Sequence, residues 1–114
     1  MKTENIFYTS DRAGWRRWLA EHFETETEVW FVFPLKNSGQ PGLSYNDAVE
    51  EALCFGWIDS TLKKLPDGRL AQRLSPRRKN SHWTELNRQR CEALIINGLM
   101  TDAGLKVFEA SLNR

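Results

Sequence analysis

Cysteine is scarce in this sequence, and so are long apolar runs. The only two cysteines, Cys54 and Cys91, each sit inside an apolar periodic segment, which suits buried thiols and argues against a disulfide-stapled fold. The longest apolar stretch, VWFVF, is far too short to span a bilayer, so no membrane insertion is expected. No signal pattern of charged, apolar and small residues opens the chain, and no repeat or low-complexity tract interrupts it. There is no glycine-rich phosphate loop, no Ser/His/Asp or Cys/His nucleophile arrangement, and no histidine or carboxylate at metal-ligand spacing. These absences leave a protein of a reducing compartment, expected in the cytoplasm, with no cofactor and no metal.

What is present is ordinary for one globular domain spanning residues 1–114: 40% hydrophobic residues, 27% charged residues and five tryptophans, enough apolar area for one core. The net charge of +1 hides an asymmetry. Between Ser60 and Arg90 nine cations face two anions, so that segment carries +7 and the remainder −6. Two readings account for such a split. The acids of the remainder neutralise the basic segment within the fold, or the basic segment meets an acidic partner outside it.

Periodicity and turn residues outline an α+β (α/β) domain. Ser10 is placed to cap a helix running to about Phe23, with Trp15, Trp18, Leu19 and His22 along one side. EVWFVFP, Glu28 to Pro34, is apolar on both alternating faces, as in a central strand covered on both sides. Ser44 and Asp47 start the clearest helix, whose stripe of Tyr45, Ala48, Val49, Ala52 and Leu53 turns inward while Asn46, Asp47, Glu50 and Glu51 face outward. Gly56 ends it, and a strand alternating from Trp57 turns at Pro66, Asp67 and Gly68 into the return RLAQRLS. A three-residue loop there sets Leu62 opposite Gln72, Thr61 opposite Arg73 and Asp59 opposite Ser75. Ile58, Leu62, Leu70 and Leu74 then share one face. Trp57, Asp59, Thr61, Ala71, Arg73 and Ser75 share the other, with Asp59 and Arg73 near enough to pair. A helix from about Ser81 or His82 to Asn97 follows, stopped by Gly98, with Asn87 and Arg90 in the middle of its apolar side and in need of partners. A last helix runs from Thr101 and Asp102 to about Leu112. The expected order is α-β-α-β-β-α-α, with a small antiparallel sheet of about three strands packed by about four helices.

The stretches SYNDAVEEALCFGWIDS, QRLSPRRKNSHWTELNRQR and LIINGLMTDAGL resemble, in order and spacing, the YdeI/OmpD-associated (bacteriocin-protection) family of the YjbR and frataxin-like superfamily. The resemblance covers about Trp15 to Leu105. It implies a small α/β fold and an association with bacterial tolerance of antimicrobial stress, with no settled biochemical activity. It also implies a C-terminal helical extension rich in Trp, Lys and Arg, which has no counterpart in the 114 residues.

The chemistry concentrates around SPRRKNSHW. The candidate binding residues are Trp57, Asp59, Arg73, Arg77, Arg78, Lys79, Ser81, Trp83, Asn87 and Arg90. Arginine forks suit phosphate or carboxylate, and Trp57 or Trp83 would offer a stacking surface, so an anionic ligand or a nucleic acid is the first partner to consider. In the bland reading Arg73 pairs Asp59, Arg77 or Arg78 pairs the acids of the Ser44 helix, and the tryptophans fill the core. A protein partner would instead need an exposed apolar patch at Trp83 or the last helix. An enzyme would need Asp59, Arg73, Asn87 and His82 in one cleft.

Overall fold

A computed structural model describes residues 5–112 of the chain. In chain order the elements are β1 (Ile6–Phe7), α1 (Arg12–His22), β2 (Val29–Phe33), α2 (Tyr45–Cys54), β3 (Trp57–Lys64), β4 (Leu70–Pro76), α3 (Glu85–Ile96) and α4 (Asp102–Leu112). The expected order is present, with one strand more. The two-residue β1 joins β2 in parallel, so the sheet has four strands in the order β1-β2-β4-β3 and is mixed rather than wholly antiparallel. The signal-sequence expectation falls partly on residues 1–4, which lie outside the described residues. No described helix is long and apolar enough to cross a membrane.

Side chains at alternate positions of β2 go to opposite faces, and both faces are covered. Val29 and Phe31 join Trp57, Leu74, Trp15, Leu53, Cys91 and Phe108 in the main core, to which all four helices contribute. Trp30 and Val32 join Leu65 and Ala71 in a smaller cluster on the other face. Trp15 is fully buried and its indole N–H donates to the Ala48 carbonyl at 2.9 Å, so its one polar atom is satisfied inside the core.

The helix starts follow capping chemistry, with two shifts from expectation. The cap of α1 is Asp11, not Ser10; its carboxylate accepts from the Ala13 amide at 3.0 Å. Ser44 caps α2 as expected, accepting from the Asp47 amide at 3.0 Å. Thr84 caps α3, accepting from the Asn87 amide at 3.1 Å. That helix therefore begins three to four residues later than periodicity suggests, and Ser81, His82 and Trp83 lie in the segment leading to it. Gly56, at φ 78, ends the α2 segment as expected. Gly104 is required by packing, since a Cβ there would collide with the Cys54 carbonyl group where α4 crosses the end of α2.

The hairpin register is as expected near its turn and departs from it farther along. Leu62 lies opposite Gln72, but Asp59 lies opposite Leu74 instead of Ser75, because a bulge between Asp59 and Leu62 adds one residue to β3. One extra residue exchanges the faces of everything beyond it. Trp57 and Asp59 thus pass to the helix-covered face with Leu74, and Arg73 stays on the other.

Candidate functional site

The acids of α2 are taken up by α1. Arg12 donates to Asp47 at 2.9 Å, Glu50 at 3.0 Å and Glu51 at 2.5 Å, while Arg16 donates to Glu51 at 2.9 Å. Arg16 also reaches the Leu99 carbonyl at 2.7 Å, tying this clasp to the turn between α3 and α4. Glu51 is only 2% exposed, so the expectation that it faces outward is corrected; two guanidinium groups make its burial tolerable. Burial alone would lower the Arg12 and Arg16 pKa values, but the bonds to Glu51, with Glu50 at Arg12, more than offset it and both are raised. On the Cys54 and Cys91 thiols burial acts the other way and pushes the pKa up, for Cys91 to about 11, and both thiols are free.

The internal neutralisation expected for the basic segment therefore takes a different form. Arg77 and Arg78 do not pair the acids of the Ser44 helix, because arginines from outside the segment occupy those acids. Arg73 pairs Glu28 at 2.6 Å and lies near Ser60 Oγ and Ser75 Oγ at 3.4 and 3.5 Å. The expected Asp59–Arg73 pair is not formed, because the bulge puts the two on opposite faces. Asp59 instead accepts from the Tyr45 hydroxyl. Partial burial and that bond push the Tyr45 phenol up to about 12. Tyr45 is 46% exposed, so it serves this link more than the inward stripe it was assigned to.

The segment after β4 builds a cleft. The Arg77 amide donates to the Gly56 carbonyl at 3.0 Å, and the Ser81 amide to the Arg78 carbonyl at 3.1 Å, which bends Arg77–Ser81 back on itself. The Arg77 guanidinium lies 3.7 Å from the centre of the Trp83 ring and donates to Ser81 Oγ at 2.9 Å and the His82 carbonyl at 3.0 Å. Trp83 is 8% exposed and packs on Phe108 of α4 at 5.5 Å. Between this turn and α4 opens a cleft of about 240 Å³ lined by Arg77, Arg78, Lys79, Trp83, Lys106, Val107, Ala110 and Ser111. Four cations surround an apolar floor, and among the described residues no carboxylate lines it. Among the described residues Arg78 and Lys106 form no ion pair.

Of the residues singled out in the sequence, this cleft brings together Arg77, Arg78, Lys79 and Trp83, with Ser81 bonded to Arg77. It does not include Trp57, which is 1% exposed and donates from its indole to the Phe23 carbonyl at 3.3 Å, so it offers no stacking surface. Asp59 and Arg73 are elsewhere. Asn87 and Arg90 satisfy each other at 2.8 Å, and Arg90 continues to Asn46 Oδ1 at 2.8 Å, which supplies the partners α3 needed. Asp59, Arg73, Asn87 and His82 do not share one cleft. Lys106, Val107 and Ala110 escaped sequence reasoning; they lie some thirty residues downstream, and only the i, i+4 spacing of Lys106 and Ala110 on one helix side hints at a shared surface.

A family model described as a domain of unknown function (DUF8412) matches residues 7–107. No curated protein and no solved structure matches the chain.

Proposed function

The chain belongs to the DUF8412 family, and from that premise we propose that it is a non-enzymatic binding protein that takes an anion in the cleft between the Arg77–Lys79 turn and α4. The observation that carries this reading is the division of charge. The acids of α2 are occupied by Arg12 and Arg16, while Arg78 and Lys106 face each other across a cleft and, among the described residues, form no ion pair. An anion entering there gains charge-assisted hydrogen bonds from the Arg78 guanidinium and displaces no acid of the described residues from Arg78 or Lys106.

The same geometry favours a compact phosphate or carboxylate over a strand that stacks its bases. Trp57 is buried, and one face of Trp83 is already covered by Arg77, so the aromatic platforms that single-strand binders use are occupied. In this reading the protein acts in the cytoplasm, in the tolerance of antimicrobial stress that its resemblance to the YdeI/OmpD-associated family implies. A protein–protein role has one observation in its favour: Leu86, Ile95 and Ile96 of α3 are exposed, Ile96 at 83%. The patch is not at Trp83, which is buried.

Titration with inorganic phosphate and with a short single-stranded oligonucleotide, at low and moderate salt, tests the proposal. Binding should weaken as salt rises. It should fall by about tenfold or more in an Arg78→Glu/Lys106→Glu variant, equivalent to about 1.4 kcal/mol, with the melting temperature unchanged. Phosphate should compete with the oligonucleotide. No binding at low salt, or binding indifferent to the double variant, would turn the search to the exposed face of α3.

A further inference from the structure

At the other end of β4, where the chain leaves β2 and passes the tip of the β3–β4 hairpin, lies a larger groove of about 670 Å³. That is within the range of roughly 300–1,000 Å³ that holds a small organic ligand. Its walls are partly built by the segment 34–43, whose two ends meet: a Cβ on Gly42 would fall 2.7 Å from Cγ of Pro34. Leu35 of the same segment packs on the hairpin tip, its Cδ2 3.2 Å from where a Cβ of Gly68 would stand. The Tyr8 hydroxyl donates to the Pro41 carbonyl and holds the segment from the other side. The groove is thus pinned at several points before any ligand arrives, which lowers the ordering cost of binding.

Its lining is amphipathic. Phe33, Leu43 and Leu70 supply an apolar surface, and Leu35 and Leu70 are 44% and 42% exposed, so part of that surface is open to a ligand. Among the described residues Lys36 and Lys64 are the only charged ones of the lining, and neither forms an ion pair. The carboxylate of the hairpin turn, Asp67, is engaged by Arg69 at 2.7 Å. An apolar surface with two ammonium groups and, among the described residues, no acid complements a molecule with an apolar body and one negative end.

We propose that this groove is a second binding site, for a small amphiphilic carboxylate whose hydrocarbon part lies on Phe33, Leu43 and Leu70 and whose charged end meets Lys36 and Lys64. The site is independent of the Arg77–Lys79 cleft and stands or falls separately from it. Burial of the hydrocarbon supplies most of the affinity, and the lysines select for charge.

The probes are decanoate and, as its neutral counterpart, decanol, kept below their aggregation limits and followed by amide chemical-shift mapping on the full chain. Decanoate should shift the amides of Phe33–Leu43 and of the hairpin tip and bind about tenfold more tightly than decanol. A Lys36→Glu/Lys64→Glu variant, altered only at exposed side chains, should lose that preference, while the Arg78→Glu/Lys106→Glu variant should keep it. Equal affinity for decanol, shifts confined to α4 and the Arg77–Lys79 turn, or decanoate binding unaltered by the Lys36/Lys64 reversal would each overturn the proposal. So would the absence of any shift.

Discussion

Two arginine-rich regions of this molecule put the same side chain to opposite uses. Where α1 meets α2, Arg12 and Arg16 face three carboxylates, and every fork closes within the fold. After β4, Arg77 lies over the Trp83 ring, while Arg78 and its neighbour across the cleft, Lys106, meet no acid among the described residues. The first region is a fastening between helices, with its central carboxylate out of water. The second is a charged opening toward solvent. The difference shows that a charge count along a chain says little about neutralisation, because pairing is decided by which helix a carboxylate faces. The −6 of the remainder does not cancel the +7 of the basic segment as two blocks, since Arg12 and Arg16 intercept the acids of α2.

Removing the shared carboxylate should break that contrast most severely. Glu51→Ala would leave two guanidinium groups facing a buried gap, and the expected loss is about 3 kcal/mol of unfolding free energy, read as a lower urea midpoint at unchanged slope. A loss below about 0.5 kcal/mol would mean that the clasp is an ordinary surface network. Next in size is Arg77→Ala. It removes the stacking on Trp83 and the bonds to Ser81 and the His82 carbonyl, so it should cost about 1–2 kcal/mol and weaken anion binding as well. If Arg77→Ala weakened binding with no change in stability, Arg77 would belong with Arg78 as a purely ligand-facing group.

The smallest effect concerns Tyr45, which links α2 to β3 without any arginine. Its phenol is raised from 10.0 to about 12, so the folded state holds the proton more tightly than the unfolded chain does. The resulting stabilisation is fully present below about pH 10 and is lost as pH climbs toward 12. Ultraviolet titration should show one tyrosine ionising near 12 that disappears in Tyr45→Phe. The variant should also lose stability less steeply than the parent across that interval. A phenol ionising near 10 would remove the Asp59 bond from the account.

Much of this architecture is legible from local chemistry. The Ser44 cap, the stop at Gly56, the Pro66–Gly68 turn with its adjoining register, and the span of α4 each depend on residues close in sequence, so reading them in order suffices. What escaped depends on distant partners. The strand β1 has two residues and no periodicity to detect. The alternation from Trp57 to Thr61 runs unbroken in the sequence, and only pairing with β4 introduces the bulge that parts Asp59 from Arg73. Glu51 looks like an outward acid until α1 brings two guanidinium groups to it. On α3, Leu86 and Ile95 match a buried stripe by spacing, but the structure leaves them exposed. Half of the cleft was legible, as the PRRK cations and Trp83; the half on α4 was not, since nothing in residues 106–111 refers to residues 77–83 before the chain folds.

The bulge at Ser60–Thr61 has a second effect, at the rim of the sheet. The strand β3 is an edge, eight residues long and exposed from Ser60 onward, which is the kind of strand on which another chain could dock its own backbone. An extra residue in mid-strand breaks the even row of amides and carbonyls, and Lys63 and Lys64 follow it at once. A strand pairing there would meet an interrupted ladder and two exposed ammonium groups. The irregularity that defeats a register read from sequence also makes this edge a poorer template for a pairing strand.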